Sequence, residues 1–387
     1  MKKKVEIKNI LIFHDFFLPG IKGGGPVQSL ANLIATLQDQ YEFYVITSAY
    51  DLKTSIPYAD VKVNEWNKKT IGNNEIAIWY ANKSIDYSIY ADVIKSIKAD
   101  FVFFNCVYSF CFFLYPLLNK KKFFLKETKL IISPRGILHS GGLSAKPLKK
   151  FLYIFLLKHS RLLKQCIWHA TAETEYDDIQ KQFGNTESIT IIGNIPKLPV
   201  LSLQIPNKEK SCLKLIHLSI ITSVKNINTL LQSLKLCKKK IILDIFGPIK
   251  DEQYWDECKK MILELPEHII VTHKGDLQPN QVQETIENYD SLILLSKGEN
   301  FGHVLFESLS VGRPIITSYF TPWNNLQEKN AGWNVDIELP EVISLLLDNL
   351  AERDSHEWKI FAQNAYGQAI NYISSQNFVE SYRKLFS

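Results

Sequence analysis

The sequence lacks the cysteine patterns of disulfide-bonded and zinc-binding proteins. Its six cysteines are scattered along the chain, with no CxxC pair and no zinc-like spacing to histidine, and no apolar signal segment precedes them. Free cysteines of this kind are usually small buried residues of a hydrophobic core. We therefore expect a reduced, cytoplasmic protein.

Sequence repeats, biased tracts and an uninterrupted membrane-spanning segment are also missing. The composition, 46% hydrophobic and 22% charged, is that of a soluble globular protein, and 387 residues exceed what one core usually serves. One apolar run, residues 101–118, is interrupted by Asn105, Ser109 and Pro116. We interpret it as a buried strand over residues 101–105 followed by an apolar helix near a surface.

Charge is unevenly divided along the chain. Residues 1–197 carry 26 Lys and Arg against 17 Asp and Glu, a net charge of +9, whereas the remainder carries 19 against 23, a net charge of −4. Basic clusters at Lys2 to Lys4, Lys120 to Lys122 and Lys146 to Lys164 lie beside apolar runs. This composition suits anionic lipid headgroups, with a solvated basic surface as the alternative.

Short apolar runs alternate with helical patterns, which predicts βαβ units and a parallel sheet. The alternation stops in a proline-punctuated stretch near residues 197–212 and then restarts. We therefore expect an α/β protein with two doubly wound parallel-sheet domains, over residues 1–197 and 198–365. Residues 366–387 are expected to form a C-terminal helix that packs back on the first domain.

The loop after the first predicted strand is rich in glycine. It carries Gly23, Gly24 and Gly25 and leads into a helix that begins at Pro26. Glycines there let backbone amides approach a ligand, and a helix N-terminus favours an anion such as phosphate. The loop is not a GxGxxG turn and is too long for one, which disfavours a dehydrogenase. A merely flexible loop is the alternative.

Two basic residues follow predicted strands. Arg135 stands between a proline and a glycine at the sheet edge where α/β proteins bind ligands, and its guanidinium could clamp a phosphate or carboxylate. The alternative is an arginine that holds a loop through backbone carbonyls. Lys225 is placed at the start of a helix, where the macrodipole disfavours a cation unless an anion is bound. A solvated surface lysine is the alternative there.

The segment SLILLSKGENFGHVLFESLSVG predicts a buried strand, a loop and a helix that ends at Gly312. Glu299 lies in the loop and Glu307 lies about a turn and a half into the helix, so both can face one cleft. The amides near Phe301, Gly302 and His303 add hydrogen-bond donors. Carboxylates for sugar hydroxyls and amides for an anion suit a nucleotide-sugar, although two spaced glutamates alone are more often surface residues.

Together these residues resemble those of the retaining glycosyltransferases of family 4, which have the glycosyltransferase B fold. The most specific element is the pair of glutamates separated by seven residues in GENFGHVLFESLSVGRPII. The segments SPRGIL, HATAETEYDDI and IGNIP match further family positions. LDIFGPIKDEQYW and TPWNNL resemble enzymes that build bacterial capsule, exopolysaccharide or lipopolysaccharide O-chains.

The resemblance implies two Rossmann-like domains that face each other across a cleft, and a role for each matched residue. Glu307 would bind the nucleotide ribose, Glu299 the hydroxyls of the donor sugar, and Lys225 the diphosphate. The amides of Asn300, Phe301 and Gly302 would support the sugar, and the loop at Gly23 to Gly25 would close over the phosphates. Retention is explained by front-face attack, with the leaving diphosphate accepting the proton, so neither a metal nor a cofactor is expected.

Two positions depart from the family pattern. Ser219 and Ile220 stand where an arginine ahead of the lysine is common, so the diphosphate loses one clamp, which Arg135 could replace. Asn105 and Tyr108 stand where a histidine after the fourth strand is common. These departures could alter donor handling or reduce activity.

The function implied is hexosyl transfer from a UDP- or GDP-sugar to a glycan or lipid-linked glycan in cell-surface polysaccharide synthesis. The partners expected are the donor, the acceptor and an anionic membrane surface at the inner face of the plasma membrane, with no nucleic acid. Two alternatives remain open: a nucleotide-sugar epimerase or phosphorylase on the same scaffold, and a non-catalytic homologue that acts as a binding partner. Donor sugar, base, linkage and oligomeric state leave no trace that can be read in the sequence.

Overall fold

A computed structural model describes residues 7–20, 23–52, 54–139, 147–184, 188–205 and 208–387. The chain divides into two compact units. The first comprises Met1–Ile195 together with Phe378–Ser387, and the second comprises Pro196–Asn377. The basic residues Lys2 to Lys4 and Lys146 lie outside the described residues.

The first unit is built on an eight-stranded sheet with the order β3-β4-β2-β1-β5-β6-β7-β8. Neighbouring strands are parallel except for β3, which pairs antiparallel with β4 through a short turn at Gly72, whose φ is 64°. The strands are β1 (Lys8–Phe13), β2 (Tyr41–Ser48), β3 (Trp66–Ile71), β4 (Asn74–Ala81), β5 (Phe101–Phe104), β6 (Lys129–Ile132), β7 (Ile167–Ala170) and β8 (Ile189–Ile191).

Helices cover both faces of this sheet, as the apolar runs of β1 and β5 require, since every residue of β5 is buried. The helices described in the first unit are α1 (Gly25–Leu37), α2 (Tyr87–Ser96), α3 (Tyr115–Leu118), α4 (Lys120–Phe123), α5 (Pro147–His159) and α6 (Glu173–Phe183). A π-helical turn, Phe110–Leu114, precedes α3, and a 3₁₀ turn, Arg161–Leu163, follows α5.

The second unit contains a six-stranded sheet whose order is β11-β10-β9-β12-β13-β14, with every neighbouring pair parallel. Its strands are β9 (Cys212–Leu218), β10 (Lys240–Phe246), β11 (Ile269–Gly275), β12 (Ser291–Leu294), β13 (Ile315–Ser318) and β14 (Gly332–Val335). Its described helices are α7 (Ile227–Leu236), α8 (Glu252–Leu263), α9 (Val282–Ile286), α10 (His303–Ser310), α11 (Pro340–Glu352) and α12 (Ser355–Ser375).

The expected α/β fold with two doubly wound sheets is confirmed, with β3 as the antiparallel exception. The run over residues 101–118 begins as the strand β5 and continues through the π-helical turn into α3. Within the described residues, no helix combines the length and the apolar character that crossing a bilayer requires. The six cysteines are free thiols, and five of them are buried.

The C-terminal region differs from its expected division. The helix α12 runs through residues 365 and 366, so the boundary placed there from the sequence falls inside a helix. Its start is fixed by Asp354, whose side chain accepts hydrogen bonds from the amides of His356 and Glu357. A separate last helix, α13 (Phe378–Leu385), belongs to the first unit.

Each sheet has one point where its strand order reverses. In the first unit the chain proceeds outward from β1 in one direction and from β5 in the other, and in the second unit the same holds for β9 and β12. Loops that follow two such strands diverge and leave a crevice at the carboxyl ends of the strands, which is where open α/β sheets bind ligands. These two reversal points therefore locate the candidate sites.

Candidate functional site

In the second unit, the loop after β12 is held between the loops that follow its two neighbouring strands. The amide of Lys297 donates to the carbonyl of Val224 at 2.8 Å, in the loop after β9. The amide of Glu299 donates to the carbonyl of Phe320 at 3.1 Å, in the loop after β13. The backbone that carries Glu299 is therefore fixed from both sides at the strand-order reversal.

Lys225 and Glu299 form an ion pair at this point. Their side chains are only 22% and 13% exposed, so the pair is partly removed from water, where charge–charge attraction is stronger than at the open surface. Two candidates that lie 74 residues apart in the sequence are thus brought into direct contact.

Lys225 does not begin an α-helix, contrary to the sequence-based interpretation. It ends the 3₁₀ turn Ser223–Lys225, and the next residue, Asn226, adopts a left-handed conformation with φ 57° before α7 starts at Ile227. This left-handed residue separates the lysine from the helix by one position. Glu299 supplies, within the chain itself, the negative charge that was expected beside Lys225.

Glu307 lies in α10 and is 6% exposed. Burial raises the pKa of its carboxyl group from 4.5 to about 7, and the nearby charge of Lys197 acts in the opposite direction. The helix starts after Gly302, which is left-handed with φ 72°, and the left-handed Gly312 follows its end. The first amides of such a helix have no intrahelical acceptor and can donate to a ligand.

A cluster of aromatic rings fixes the turn between Glu299 and α10. The indole of Trp323 donates to the carbonyl of Phe301 at 2.7 Å. The rings of Phe301, Phe306, Trp323 and Tyr372 pack with centroid separations from 5.4 to 6.1 Å. Because Phe301 is anchored by both its carbonyl and its ring, the amide-bearing turn at Phe301 and Gly302 has a defined position.

Ser219, one of the two residues at the positions where the resembled family commonly has an arginine, has hydrogen bonds of its own. The hydroxyl of Ser219 lies 2.8 Å from Nε2 of His217, whose Nδ1 lies 3.0 Å from the carbonyl of Ile293 in β12. Burial and, to a smaller extent, the charge of Lys225 together lower the pKa of His217 to about 4, so this imidazole is neutral at pH 7. Ser219 thus joins a neutral network that links β9 to β12.

Gly247 allows the loop after β9 to approach the loop after β10. Its φ is 127°, and a Cβ atom there would lie 1.9 Å from the carbonyl oxygen of Ser219. Only glycine accepts both this conformation and this distance. The glycine therefore determines how closely the segment leading to Lys225 can lie against β10.

In the first unit, Gly23, Gly24 and Arg135 lie in loops at the carboxyl edge of the sheet, and Gly25 is the first residue of α1. Gly24 is left-handed, with φ 72°, and precedes α1, which begins at Gly25 with Pro26 in its first turn. A Cβ on Gly23 would lie 2.7 Å from the Val27 side chain, so the loop packs closely on the start of its own helix.

The guanidinium of Arg135 is buried and bonded to side chains, not to backbone carbonyls as the structural alternative assumed. It donates to Oδ1 of Asn105, to Oδ1 of Asn194 at 2.6 Å and to Oγ of Ser29 at 3.3 Å. Its Nη2 is buried and has no hydrogen-bond partner among the described residues. Burial lowers the pKa of Arg135 below its usual value.

Four contributors to these sites were not predicted as site residues. They are Lys197, which influences Glu307, and His217, Gly247 and Trp323, which position the loops. Of these, Gly247 and Trp323 stand in segments that carry the family resemblance, which was the available signal. In the described part of the chain, no three His, Cys, Asp or Glu side chains are grouped so that they could hold a metal ion.

Residues 202–367 match the family described as glycosyl transferases group 1. A comparison with curated proteins finds no match. Among solved structures, the chain is similar to Anabaena HepE in complex with UDP and glucose, with 15% identity, a TM-score of 0.69 and 98% of each chain covered. It is also similar to WaaG, a glycosyltransferase involved in lipopolysaccharide biosynthesis, with 14% identity, a TM-score of 0.61 and 98% of each chain covered.

A third similar structure is a variant of S. aureus TarM in complex with fondaparinux, alpha-GlcNAc-glycerol and UDP. The identity is 14%, the TM-score is 0.66, and the alignment covers 98% of this chain and 100% of TarM. At such identities these likenesses show the fold, which is the glycosyltransferase B fold expected from the sequence.

Proposed function

We propose that this chain, whose residues 202–367 match the family described as glycosyl transferases group 1, moves a hexosyl group from a nucleotide-diphosphate donor to a glycan or lipid-linked glycan. The observation that carries the proposal is the partly buried ion pair of Lys225 and Glu299 at the strand-order reversal. The buried Glu307 lies in α10, the helix that follows the loop carrying Glu299. A cation, two carboxylates and a helix N-terminus are the groups that a nucleoside diphosphate joined to a sugar requires.

The donor contacts follow from the chemistry of each group. The Glu307 carboxylate accepts hydrogen bonds from the ribose hydroxyls, and Glu299 accepts them from the sugar hydroxyls. Lys225 and the amides of Asn300, Phe301 and Gly302 stabilise the charge that develops on the leaving diphosphate. We also assign Arg135 and the loop at Gly23 to Gly25 to substrate binding by the first unit.

We propose a retaining reaction without a metal or a cofactor. The bond between the anomeric carbon and the diphosphate oxygen breaks, and the acceptor hydroxyl attacks from the same face. The proton of that hydroxyl passes to the departing diphosphate oxygen. The charge that accumulates on this oxygen is offset by Lys225, so Lys225 belongs among the catalytic residues together with Glu299.

The donor is proposed to be a UDP- or GDP-sugar, and the acceptor part of a cell-surface polysaccharide such as capsule, exopolysaccharide or O-antigen. The structural relatives support this choice, because HepE and TarM are seen with UDP and WaaG is involved in lipopolysaccharide biosynthesis. A lipid-linked acceptor would require work at an anionic membrane surface, at the inner face of the plasma membrane. The excess of Lys and Arg in residues 1–197 supports such a location.

A thermal-shift screen against UDP, GDP, ADP, CMP, dTDP and the UDP- and GDP-sugars tests the donor assignment. A ligand that binds only the folded protein raises its melting temperature by mass action. We expect UDP or GDP to do so, and Glu307→Gln to reduce the shift, whereas the exposed control Glu328→Gln keeps it. Failure of every nucleotide would refute the assignment.

Transfer assays with the donor so identified test the chemistry. Glu299→Gln should mainly lower kcat, and Lys225→Met should lower kcat more than it raises KM, because the charge of the leaving group grows in the transition state. The anomeric configuration of the product, read by NMR, decides between retention and inversion. Unchanged transfer by both variants would mean that the site is placed wrongly.

A non-catalytic binding protein is the second candidate, favoured by Ser219 and Ile220 in place of the expected arginine. In that case no nucleoside diphosphate would bind, and neither transfer nor sugar isomer formation would occur under any acceptor condition. Formation of a sugar isomer without acceptor would instead indicate an epimerase.

A further inference from the structure

A basic pocket lies at the amino-terminal edge of the first sheet, away from the loops that carry Arg135. It has a volume of about 780 Å³ and is lined by residues 117–122 and by residues 160–162, 164 and 165. The first segment precedes β6 and the second precedes β7. Since α5 spans roughly 20 Å between the two edges of the sheet, the pocket is separate from the carboxyl-edge loops.

The charge of this pocket is of one sign. Of its eleven lining residues, five are cationic and none is acidic: Lys120, Lys121, Lys122, Arg161 and Lys164. The surrounding segments 115–126 and 147–165 contain no Asp or Glu at all. Unopposed cations around a concave surface attract and hold an anion.

One of these lysines also connects the two walls. Nζ of Lys120 donates to the carbonyl of Leu162 at 2.7 Å and to that of Lys164 at 3.3 Å. Lys120 therefore fixes the shape of the pocket, while Lys121, Lys122 and Arg161 supply exposed charge.

The helix α5, next to the pocket in the chain, exposes a large apolar face. Leu148, Phe151, Leu152, Phe155 and Leu156 are between 48% and 79% exposed. Their spacing of i, i+3, i+4, i+7 and i+8 places them on one side of the helix. The opposite side is already used, because Ile154 and Leu157 are buried in the core of the unit.

An exposed apolar stripe of this size marks an interaction surface, and the adjacent charges identify the partner. A helix that presents Phe and Leu beside a group of Lys and Arg suits the boundary between acyl chains and anionic headgroups. The shared ligand chemistry is a phosphate group, which a membrane lipid or a soluble phosphate could supply. The apolar stripe of α5 favours the lipid, because a soluble inorganic phosphate has no apolar part that could cover the stripe.

We propose that the pocket formed by residues 117–122 and 160–165 binds the phosphate headgroup of an anionic membrane lipid while the exposed face of α5 lies among the acyl chains. This inference rests on the proposed function only in its premise that the protein works at a membrane. It goes further by naming the surface and the headgroup chemistry.

Vesicle co-sedimentation of the full chain tests the proposal. The vesicles are phosphatidylcholine alone or phosphatidylcholine with about 30% phosphatidylglycerol, at low salt where surface charge is least screened. The pocket variant is Lys121→Gln with Lys122→Gln and Arg161→Gln. The matched control is Lys68→Gln with Lys95→Gln and Lys259→Gln, which removes the same charge from exposed positions elsewhere. The stripe variant is Phe151→Gln with Phe155→Gln.

We expect wild type to bind the anionic vesicles and to bind neutral vesicles far less. Three basic residues near an anionic surface together contribute about a hundredfold in affinity, so the pocket variant should lose about that factor and the control only a few-fold. The stripe variant should also lose binding without a lower melting temperature, because its side chains are exposed.

Equal losses in the pocket variant and the control would overturn the pocket, since general charge would then explain binding. Equal binding to neutral vesicles would overturn the headgroup. Inorganic phosphate that raises the melting temperature of wild type but not of the pocket variant, with no vesicle binding, would assign the site to a soluble phosphate and overturn the lipid. The UDP or GDP shift should persist in the pocket variant, so loss of the membrane site and failure of the transferase proposal are separable.

Discussion

Replacing Glu307 by glutamine should stabilise the nucleotide-free protein at alkaline pH and weaken nucleotide binding at the same time. In the folded protein, burial raises the pKa of this carboxyl group from 4.5 to about 7. The folded state therefore binds more protons than the unfolded state between these values, and stability falls as the pH rises through that interval.

The magnitude follows from the difference of about 2.5 between the two pKa values, each unit being equivalent to about 1.4 kcal/mol. At pH 8.5 the buried charge costs about 3 kcal/mol of unfolding free energy, whereas at pH 5 it costs less than about 1 kcal/mol. Glutamine has nearly the same shape and no charge, so Glu307→Gln removes that cost. For a unit of this size, about 3 kcal/mol corresponds to a rise in Tm of roughly 6–12 °C.

The assay is thermal unfolding of wild type, Glu307→Gln and the exposed control Glu328→Gln at pH 5 and pH 8.5, with and without the nucleotide. The stabilising effect of Glu307→Gln should be largest at pH 8.5 and fall to about a quarter of that value at pH 5, and Glu328→Gln should have little effect at either pH. Nucleotide affinity should fall about 10- to 100-fold, because that ratio corresponds to the free energy of one hydrogen bond to a charged group. A Tm difference that is the same at both pH values would refute the buried-carboxylate reasoning.

Three further predictions concern the loops, the histidines and a helix. Gly247→Ala should destabilise the protein by several kcal/mol and lower transfer, because its Cβ would lie 1.9 Å from the Ser219 carbonyl, whereas Gly298→Ala, with open space around its Cβ, should keep the Tm within 1–2 °C of wild type. Burial lowers the pKa values of His14, His169 and His217 to about 3, 3 and 4. As the pH falls below 6.5, the unfolded state therefore gains protons that the folded state does not, and the protein should lose roughly 2 kcal/mol of unfolding free energy per histidine by pH 5. His169→Gln should reduce the slope of unfolding free energy against pH by one proton. Gly367→Ala, in the interior of α12 with nothing near the new methyl group, should stabilise by about 0.5–1 kcal/mol in denaturant unfolding, and an unchanged midpoint would contradict this.

The strands were predictable because parallel sheets are buried on both faces. Strands such as β5 and β12 are buried at every residue and therefore read as uninterrupted apolar runs. The antiparallel β3 was not predictable in this way. Its residues alternate between exposed and partly buried from Trp66 to Thr70 and end in the buried Ile71, and its direction is set by the two-residue turn at Gly72.

The ion pair of Lys225 and Glu299 could be anticipated only as two separate residues. Each follows an apolar strand and was placed at the correct sheet edge for that reason. Their contact depends on β9 lying next to β12, although β10 and β11 come between them in the chain. Strand order is a property of the whole sheet, so local sequence patterns do not contain it.

The exposure of one face of α5 could not be predicted from its sequence pattern. A helix that is apolar on most sides is normally buried, and the run Leu148 to Leu157, in which Lys149 and Lys150 are the only charged residues, would be predicted to be buried by that rule. In the structure only one side is buried. What distinguishes this helix is that its own sequence and the adjoining residues 160–165 contain no Asp or Glu, which the net charge of the first 197 residues reports only as an average.

The Lys225–Glu299 pair also changes the meaning of the missing family arginine. With Glu299 in contact, the charge of Lys225 is partly offset before any ligand binds. Under the proposed function, we expect a bound diphosphate to draw Lys225 partly away from Glu299, which would leave the carboxylate free to accept hydrogen bonds from the sugar hydroxyls. Binding of the donor sugar and of the diphosphate would then be coupled, because hydrogen bonds from the sugar hydroxyls to Glu299 replace the ion pair that Lys225 gives up to the diphosphate. On this reasoning Glu299→Gln should bind a nucleoside diphosphate without sugar at least as tightly as wild type and yet transfer sugar more slowly, and weaker binding of both ligands would show that the pair serves only to hold the loop.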